Sequence, residues 1–95
     1  MKSINPKVYA ERCLRDEAQA LLDLIPHLDD SFDKVVELMH RCSGHVVVTG
    51  VGKSGHVGAK IAATLASTGT PAFYLNALDA LHGDLGMIQD DDILL

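Results

Sequence analysis

Hydrophobic positions in the first third of the chain recur at helical spacing. Leu14, Ala18, Leu21, Ile25 and Leu28 follow at intervals of 4, 3, 4 and 3 residues, one stripe of a 3.6-residue period. The stripe predicts a helix over about 6–25, opened by Asn5-Pro6 and ended or kinked by Pro26. Phe32, Val35, Val36 and Met39 predict a second helix over about 31–42, with Asp30 or Ser31 as its cap and Gly44 as its stop. The pattern then changes. His45-Val46-Val47-Val48-Thr49 is rich in β-branched residues without alternation, which reads as a strand buried on both faces, as in a parallel sheet. After the glycine-rich stretch Gly50–Gly55, Val57, Ile61, Leu65 and Thr68 predict one face of a helix over about 55–68, closed by Gly69. Pro71–Leu75 reads as a second strand and Ile93–Leu95 as a third, with a loop holding one helical turn over 76–83 and a turn at Asp90–Asp92.

This order is α/β. Buried parallel strands need cover on both faces, and 95 residues supply only part of it. The chain therefore reads as a helical segment, 1–43, followed by the first half of an α/β domain, 44–95.

Composition is ordinary for a globular protein, with 47% hydrophobic and 22% charged residues. No apolar run approaches the ~20 residues of a membrane helix, and the first residues lack the apolar core of a signal peptide. A cytoplasmic protein with no membrane partner is expected. The net charge of −5 argues against nucleic acid as a partner. Its distribution matters more. Residues 1–43 carry net −2 and residues 79–95 net −5, whereas residues 44–78 carry Lys53 and Lys60 and no acid. The acid-free middle is where a small anion could be received. Cys13 and Cys42 are too few for a disulfide scaffold and read as reduced core cysteines; no pair of histidines has metal-ligand spacing on one element, so no metal site is expected.

A glycine-rich loop between strand and helix presents backbone N–H groups and the positive end of the helix dipole to phosphate. The Walker pattern would need glycine where Val47 stands. The dinucleotide pattern fits Gly50, Gly52 and Gly55, but it also wants an acid at the end of the second strand. That strand ends Tyr74-Leu75-Asn76, and the first acid is Asp79. Lys53, placed on the loop, could hold a phosphate or stabilise an enediolate oxygen, or lie solvated. Ser54 could touch a ligand or cap the helix. His56, in the first helical turn, could face ligand or solvent. Leu81-His82-Gly83-Asp84-Leu85-Gly86 is a second candidate segment. His82 could act as acid or base or fix the loop through hydrogen bonds, and Asp84 fits an Asx-turn. His27, His40 and His45 sit at element ends and read as structural or solvated.

The strings GVGKSGHVGAKIAATLASTGTPAF and HGDLGMI, within Val46–Leu95, resemble the SIS (sugar isomerase) domain of the KpsF/GutQ arabinose-5-phosphate isomerases. The resemblance implies a three-layer α-β-α domain with a parallel sheet in flavodoxin-like order. It implies interconversion of D-arabinose 5-phosphate and D-ribulose 5-phosphate through an enediolate, feeding Kdo and lipopolysaccharide synthesis, with no cofactor. Lys53 and His82 match the family's active-site lysine and histidine, and Gly52, Ser54, Gly55 and His56 its ligand loop. The chain departs from many relatives at Asn76-Ala77, where they have His-Pro, and at Asp79, where they have Glu. The family's serine-rich phosphate loop and catalytic glutamates follow the third strand. This chain is therefore expected to hold part of an active site and to be inactive alone. The resemblance also implies a homo-oligomer, dimer or tetramer, with the first helix stripe at the subunit interface. Two alternatives are a non-catalytic phosphosugar-binding module of a regulator, and a dinucleotide-binding half-domain.

Overall fold

The computed structural model describes Ser3 and residues 5–95. The chain divides between Lys34 and Val35 into two compact units. The first holds α1 (Pro6–Leu22), a 3-10 turn (Ile25–His27) and the start of α2 (Asp30–Arg41). The Asn5 carboxamide oxygen caps α1 by accepting the amides of Lys7 at 3.1 Å and Val8 at 3.4 Å. α1 ends three residues before the expected Ile25. Pro26 has no N–H, and its ring would clash with the Leu22 carbonyl in a continued helix. The chain tightens instead, with the Leu24 amide donating to Leu21 at 3.1 Å. The cap of α2 is neither Asp30 nor Ser31. It is Asp29, which accepts both the hydroxyl and the amide of Ser31, the latter at 2.9 Å. Those two bonds, the hydroxyl's first, hold the Asp29 carboxyl below its ordinary range. α1 buries none of its residues. Its predicted stripe is exposed, Cys13 half-buried.

The second unit is built on three parallel strands, β1 (Val46–Val48), β2 (Ala72–Tyr74) and β3 (Ile93–Leu94), in the order β2-β1-β3. Val46 pairs with Ala72 on one side and Ile93 on the other. The central strand is buried as its sequence predicts, at 0–2% exposure for all three valines. Each contributes on the order of 1.5–3 kcal/mol by leaving water. The order 2-1-3 is the flavodoxin-like one, and the small parallel sheet with its helices is α/β.

α3 (Lys53–Ser67) lies on this sheet by a different face from the one its large side chains suggest. Its buried residues are Gly55, Gly58 and Ala62, while Val57 and Ile61 stay exposed. The reason is proximity: a Cβ on Gly58 would stand 3.1 Å from Val48 Cγ1. Small residues let the helix sit against β1 and β2 at a separation that branched side chains would prevent. Ala62 joins Val46 and Val48 in the core, with Met39, Leu65, Ala72 and Tyr74 packed around them. Gly69 ends α3 in the left-handed region, at φ +101°, while the Thr70 amide reaches back to Leu65 at 2.9 Å.

Residues 76–88 hold more helix than expected: α4 (Ala77–Leu81) and a 3-10 turn (Asp84–Met87). The turn before β3 is tied to the start of β1. Asp92 accepts the Gln89 amide and the His45 amide, each at 2.7 Å, and its side chain is 1% exposed. Gly44 serves this contact: it does not have positive φ, and a Cβ there would fall 2.5 Å from the Asp92 carboxylate. The Gln89 and then the His45 amide hold the Asp92 carboxyl below its ordinary value of 3.8. A carboxyl lowered by folding stabilises the fold above its unfolded pKa and loses that contribution as pH falls through the folded one. Asp92→Asn is therefore expected to flatten the acid limb of a stability-against-pH curve below 3.8, read by urea unfolding at stepped pH. An unchanged acid limb would assign acid unfolding to other groups.

Candidate functional site

The carboxyl ends of parallel strands are where α/β sheets receive ligands, above all where successive connections leave the central strand in opposite directions. Here that switch lies between β1 and β3. The chain goes from β1 through α3 to β2 on one side and returns to β3 on the other. A hollow of about 400 Å³ opens there, lined by Val48, Thr49, Lys53, Ser54, Val57, Gly58, Ile61 and Leu95. The Thr49 amide donates to the Leu95 carbonyl at 3.0 Å and carries the pairing up to its mouth.

Lys53 and Ser54 belong to the first turn of α3, so Lys53 is on the helix and not on the loop before it. Gly52 takes the cap position at φ +63°, ψ −132°, a conformation side chains resist. Having no side chain, it leaves the helix start without a side-chain cap. The amides of Gly55 and His56 turn back to the Gly52 carbonyl, at 3.0 and 3.3 Å. The amides of Lys53 and Ser54 precede any intrahelical acceptor and remain available to an anion. With the Lys53 ammonium they make a cationic mouth within a stretch that contains no acid.

A second, larger hollow of about 550 Å³ lies on the β1–β2 side. Gly52, Gly55 and His56 line it with Gly50, Val51, Ala59, Tyr74, Asn76, Ala77, Leu78 and Leu81. The candidate loop residues are thus shared between two hollows: Lys53 and Ser54 face the switch point, while Gly52, Gly55 and His56 face the other side. His82 follows α4, is exposed, and lines neither. Neither hollow is lined by an aspartate or glutamate side chain. Among the described residues no group of three or more His, Cys, Asp or Glu side chains could hold a metal ion, and no helix is long and apolar enough to cross a membrane.

Three residues at this edge have roles their sequence positions did not signal. Asn76 caps α4, accepting the Leu78 amide at 2.9 Å and the Asp79 amide at 3.3 Å. The end of β2 therefore carries no acid for a ribose. The Thr49 hydroxyl donates to the Leu75 carbonyl at 2.6 Å, and the Tyr74 hydroxyl to the Gly50 carbonyl at 3.0 Å. Both ties cross from β1 to β2, more than twenty residues apart in sequence. Only their place at strand ends hinted at them.

The chain resembles known proteins over most of its length. It is 54% identical over 79 residues to the arabinose 5-phosphate isomerase GutQ of Escherichia coli K12, covering 83% of this chain and 25% of that protein. It is 52% identical over 86 residues to the arabinose 5-phosphate isomerase KdsD of Pseudomonas aeruginosa, covering 90% of this chain and 26% of the relative. The chain thus spans about a quarter of the length of these relatives. Among solved structures, a Bacteroides fragilis protein assigned as a phosphosugar isomerase involved in capsule formation superposes with a TM-score of 0.88 at 38% identity, covering 95% of this chain and 48% of its own. An E. coli CFT073 protein in complex with arabinose 5-phosphate superposes with a TM-score of 0.85 at 37% identity, covering 96% of this chain and 50% of its own. The SIS domain model matches residues 39–95, from the last three residues of α2 through the whole sheet and both hollows. More than half of the residues fall within that match, and the chain belongs to the SIS domain family.

Proposed function

We propose that residues 44–95 form the first part of the sugar isomerase domain of an arabinose-5-phosphate isomerase, with 1–43 a helical segment before it. The observation that carries this reading is the mouth at the β1–β3 switch point, where Lys53 is the one charged side chain in the lining, in a chain about half identical to two arabinose 5-phosphate isomerases. The substrate is a pentose 5-phosphate, D-arabinose 5-phosphate exchanging with D-ribulose 5-phosphate on the route to Kdo. The aldose opens, a base removes the C2 proton, and the carbonyl electrons pass to O1. The resulting enediolate takes a proton at C1, and the carbonyl re-forms at C2. Lys53 neutralises the phosphate or the developing oxyanion. The amides of Lys53 and Ser54 hold the anion, and Gly52 and Gly55 let the backbone approach it. Contact of His56 with the sugar and proton transfer by His82 at its oxygens rest on the family resemblance alone, since neither residue lines the switch-point hollow. The same reading makes the protein a cytoplasmic homo-oligomer, supported by the exposed apolar stripe of α1.

The test is D-arabinose 5-phosphate incubated in D2O with the intact protein that carries this chain. Ribulose 5-phosphate bearing deuterium at C1 is expected, and absence of conversion would overturn the reading. The 95-residue chain alone is expected to leave the sugar unconverted, because no aspartate or glutamate side chain lines either hollow to take the C2 proton. Turnover by the isolated chain would show that a base is already present.

A further inference from the structure

We infer that Tyr74 is a positioning residue for the anion-receiving turn, acting through the Gly50 carbonyl; this rests on the role proposed above for that turn. Tyr74 is the last residue of β2 and is half-buried. Its hydroxyl donates to Gly50, the first residue of the loop, at 3.0 Å. The same hydroxyl occupies the space that Gly55 leaves open. A Cβ on Gly55 would stand 2.5 Å from the Tyr74 oxygen and 2.8 Å from the Gly50 oxygen. Further along α3, a Cβ on Gly58 would stand 3.5 Å from the ring. The phenol therefore runs along the small-residue face of α3 and ends wedged between the loop's start and the first turn of the helix.

What the wedge controls follows from the loop's composition. Gly50-Val51-Gly52 has two residues with wide backbone freedom. Gly52 sits at φ +63° with nothing within 4 Å of where a Cβ would be, so the space on that side of the residue is open. The Gly52 carbonyl anchors the amides of Gly55 and His56, and its orientation fixes where the amides of Lys53 and Ser54 point. Rotation of the Gly50–Val51 peptide would swing this unit away from the switch point. The hydrogen bond from Tyr74 holds the Gly50 carbonyl, and with it that peptide. The Thr49–Leu75 tie at 2.6 Å fixes the strand end just before it. Tyr74 does not line the switch-point hollow with Lys53 and Ser54, since it lines the other one. It works across the loop.

Tyr74→Phe keeps the ring and removes only the hydroxyl. In the intact protein, amide hydrogen exchange at Gly55 and His56 is expected to quicken at least about threefold. KM for arabinose 5-phosphate is expected to rise about three- to tenfold, the range one net hydrogen bond covers, with kcat within about twofold. That split marks loss of a hold on the anion that ground and transition states share. A lower thermal midpoint with unchanged exchange at those two amides and unchanged KM would overturn the inference and leave Tyr74 a packing residue. If the parent protein does not convert arabinose 5-phosphate, the proposed reaction fails. The exchange rates then decide the role of Tyr74 alone: faster exchange upholds the hold on the turn, and unchanged exchange removes it.

Discussion

Replacing Lys53 with methionine should lower kcat/KM for arabinose 5-phosphate by about 100- to 1,000-fold, the usual effect of deleting one donor aimed at a developing oxyanion. The side chain is exposed in the first turn of α3, where substitutions away from packing change stability by about 0.5 kcal/mol or less. Methionine keeps most of the length and all of the helix propensity, so the loss reports the charge. Kinetics then separate two roles. If the ammonium holds the phosphate throughout, KM rises and kcat stays near its parent value. If it stabilises the enediolate oxygen, kcat falls with kcat/KM. Lys53→Arg adds a geometric check. Guanidinium retains the charge but spreads it over a planar fork, so partial recovery is expected for a phosphate contact and little for a compact oxyanion. Unaltered kinetics in the methionine variant, with an unchanged melting curve, would remove Lys53 from the site.

Gly55→Ala should destabilise the second unit by about 1–3 kcal/mol, the usual range for overpacking. Two effects oppose each other. Alanine within a helix gains about 1 kcal/mol over glycine. Against this, the new methyl would stand 2.5 Å from the Tyr74 hydroxyl and 2.8 Å from the Gly50 carbonyl oxygen. The phenol is the end of a side chain and can shift. The carbonyl is backbone and moves only with the loop. The clash therefore wins and displaces the turn that carries Lys53 and Ser54. Urea unfolding of Gly55→Ala, Tyr74→Phe and the double variant forms a cycle. Because the single changes touch the same atoms, they should not add: with the hydroxyl gone, alanine at 55 is less costly, though the Gly50 contact keeps it from being neutral. Full additivity would show that the two residues do not share this contact.

The sequence speaks clearly where one segment decides its own state. Val46–Val48 is a buried strand on its composition alone, and the Asn5-Pro6 pair opens a helix wherever a helical stripe follows it. It speaks less clearly where the outcome depends on a partner distant in the chain. The large residues Val57 and Ile61 advertise one face of α3, yet the helix turns Gly55, Gly58 and Ala62 inward. Closeness to β1 matters more than the area a valine would bury. The spacing of those small residues is present in the sequence and is the signal that could reveal it. Lys53 reads as a loop residue because a three-glycine stretch looks irregular. Gly52 at φ +63° makes a sharp enough corner for the helix to begin immediately. Gly44 looks like a helix stop and proves to be clearance for Asp92. The ties from Tyr74, Thr49 and Asp92 join residues 24 to 47 positions apart, and no local pattern encodes them. Of the candidate site, Lys53 and Ser54 come together at the switch point, whereas His82 stays apart from them.

The Asp92 tie grips the amino end of β1 through His45, whereas ligand would arrive at the opposite end, beyond Thr49. Three residues of strand, roughly 10 Å, separate the two. The rims of this small sheet can therefore drift apart under selection. Acid stability can be altered at one rim through Asp92, Gln89 or Gly44 without touching Lys53 and Ser54 at the other, where the proposed reading puts the ligand.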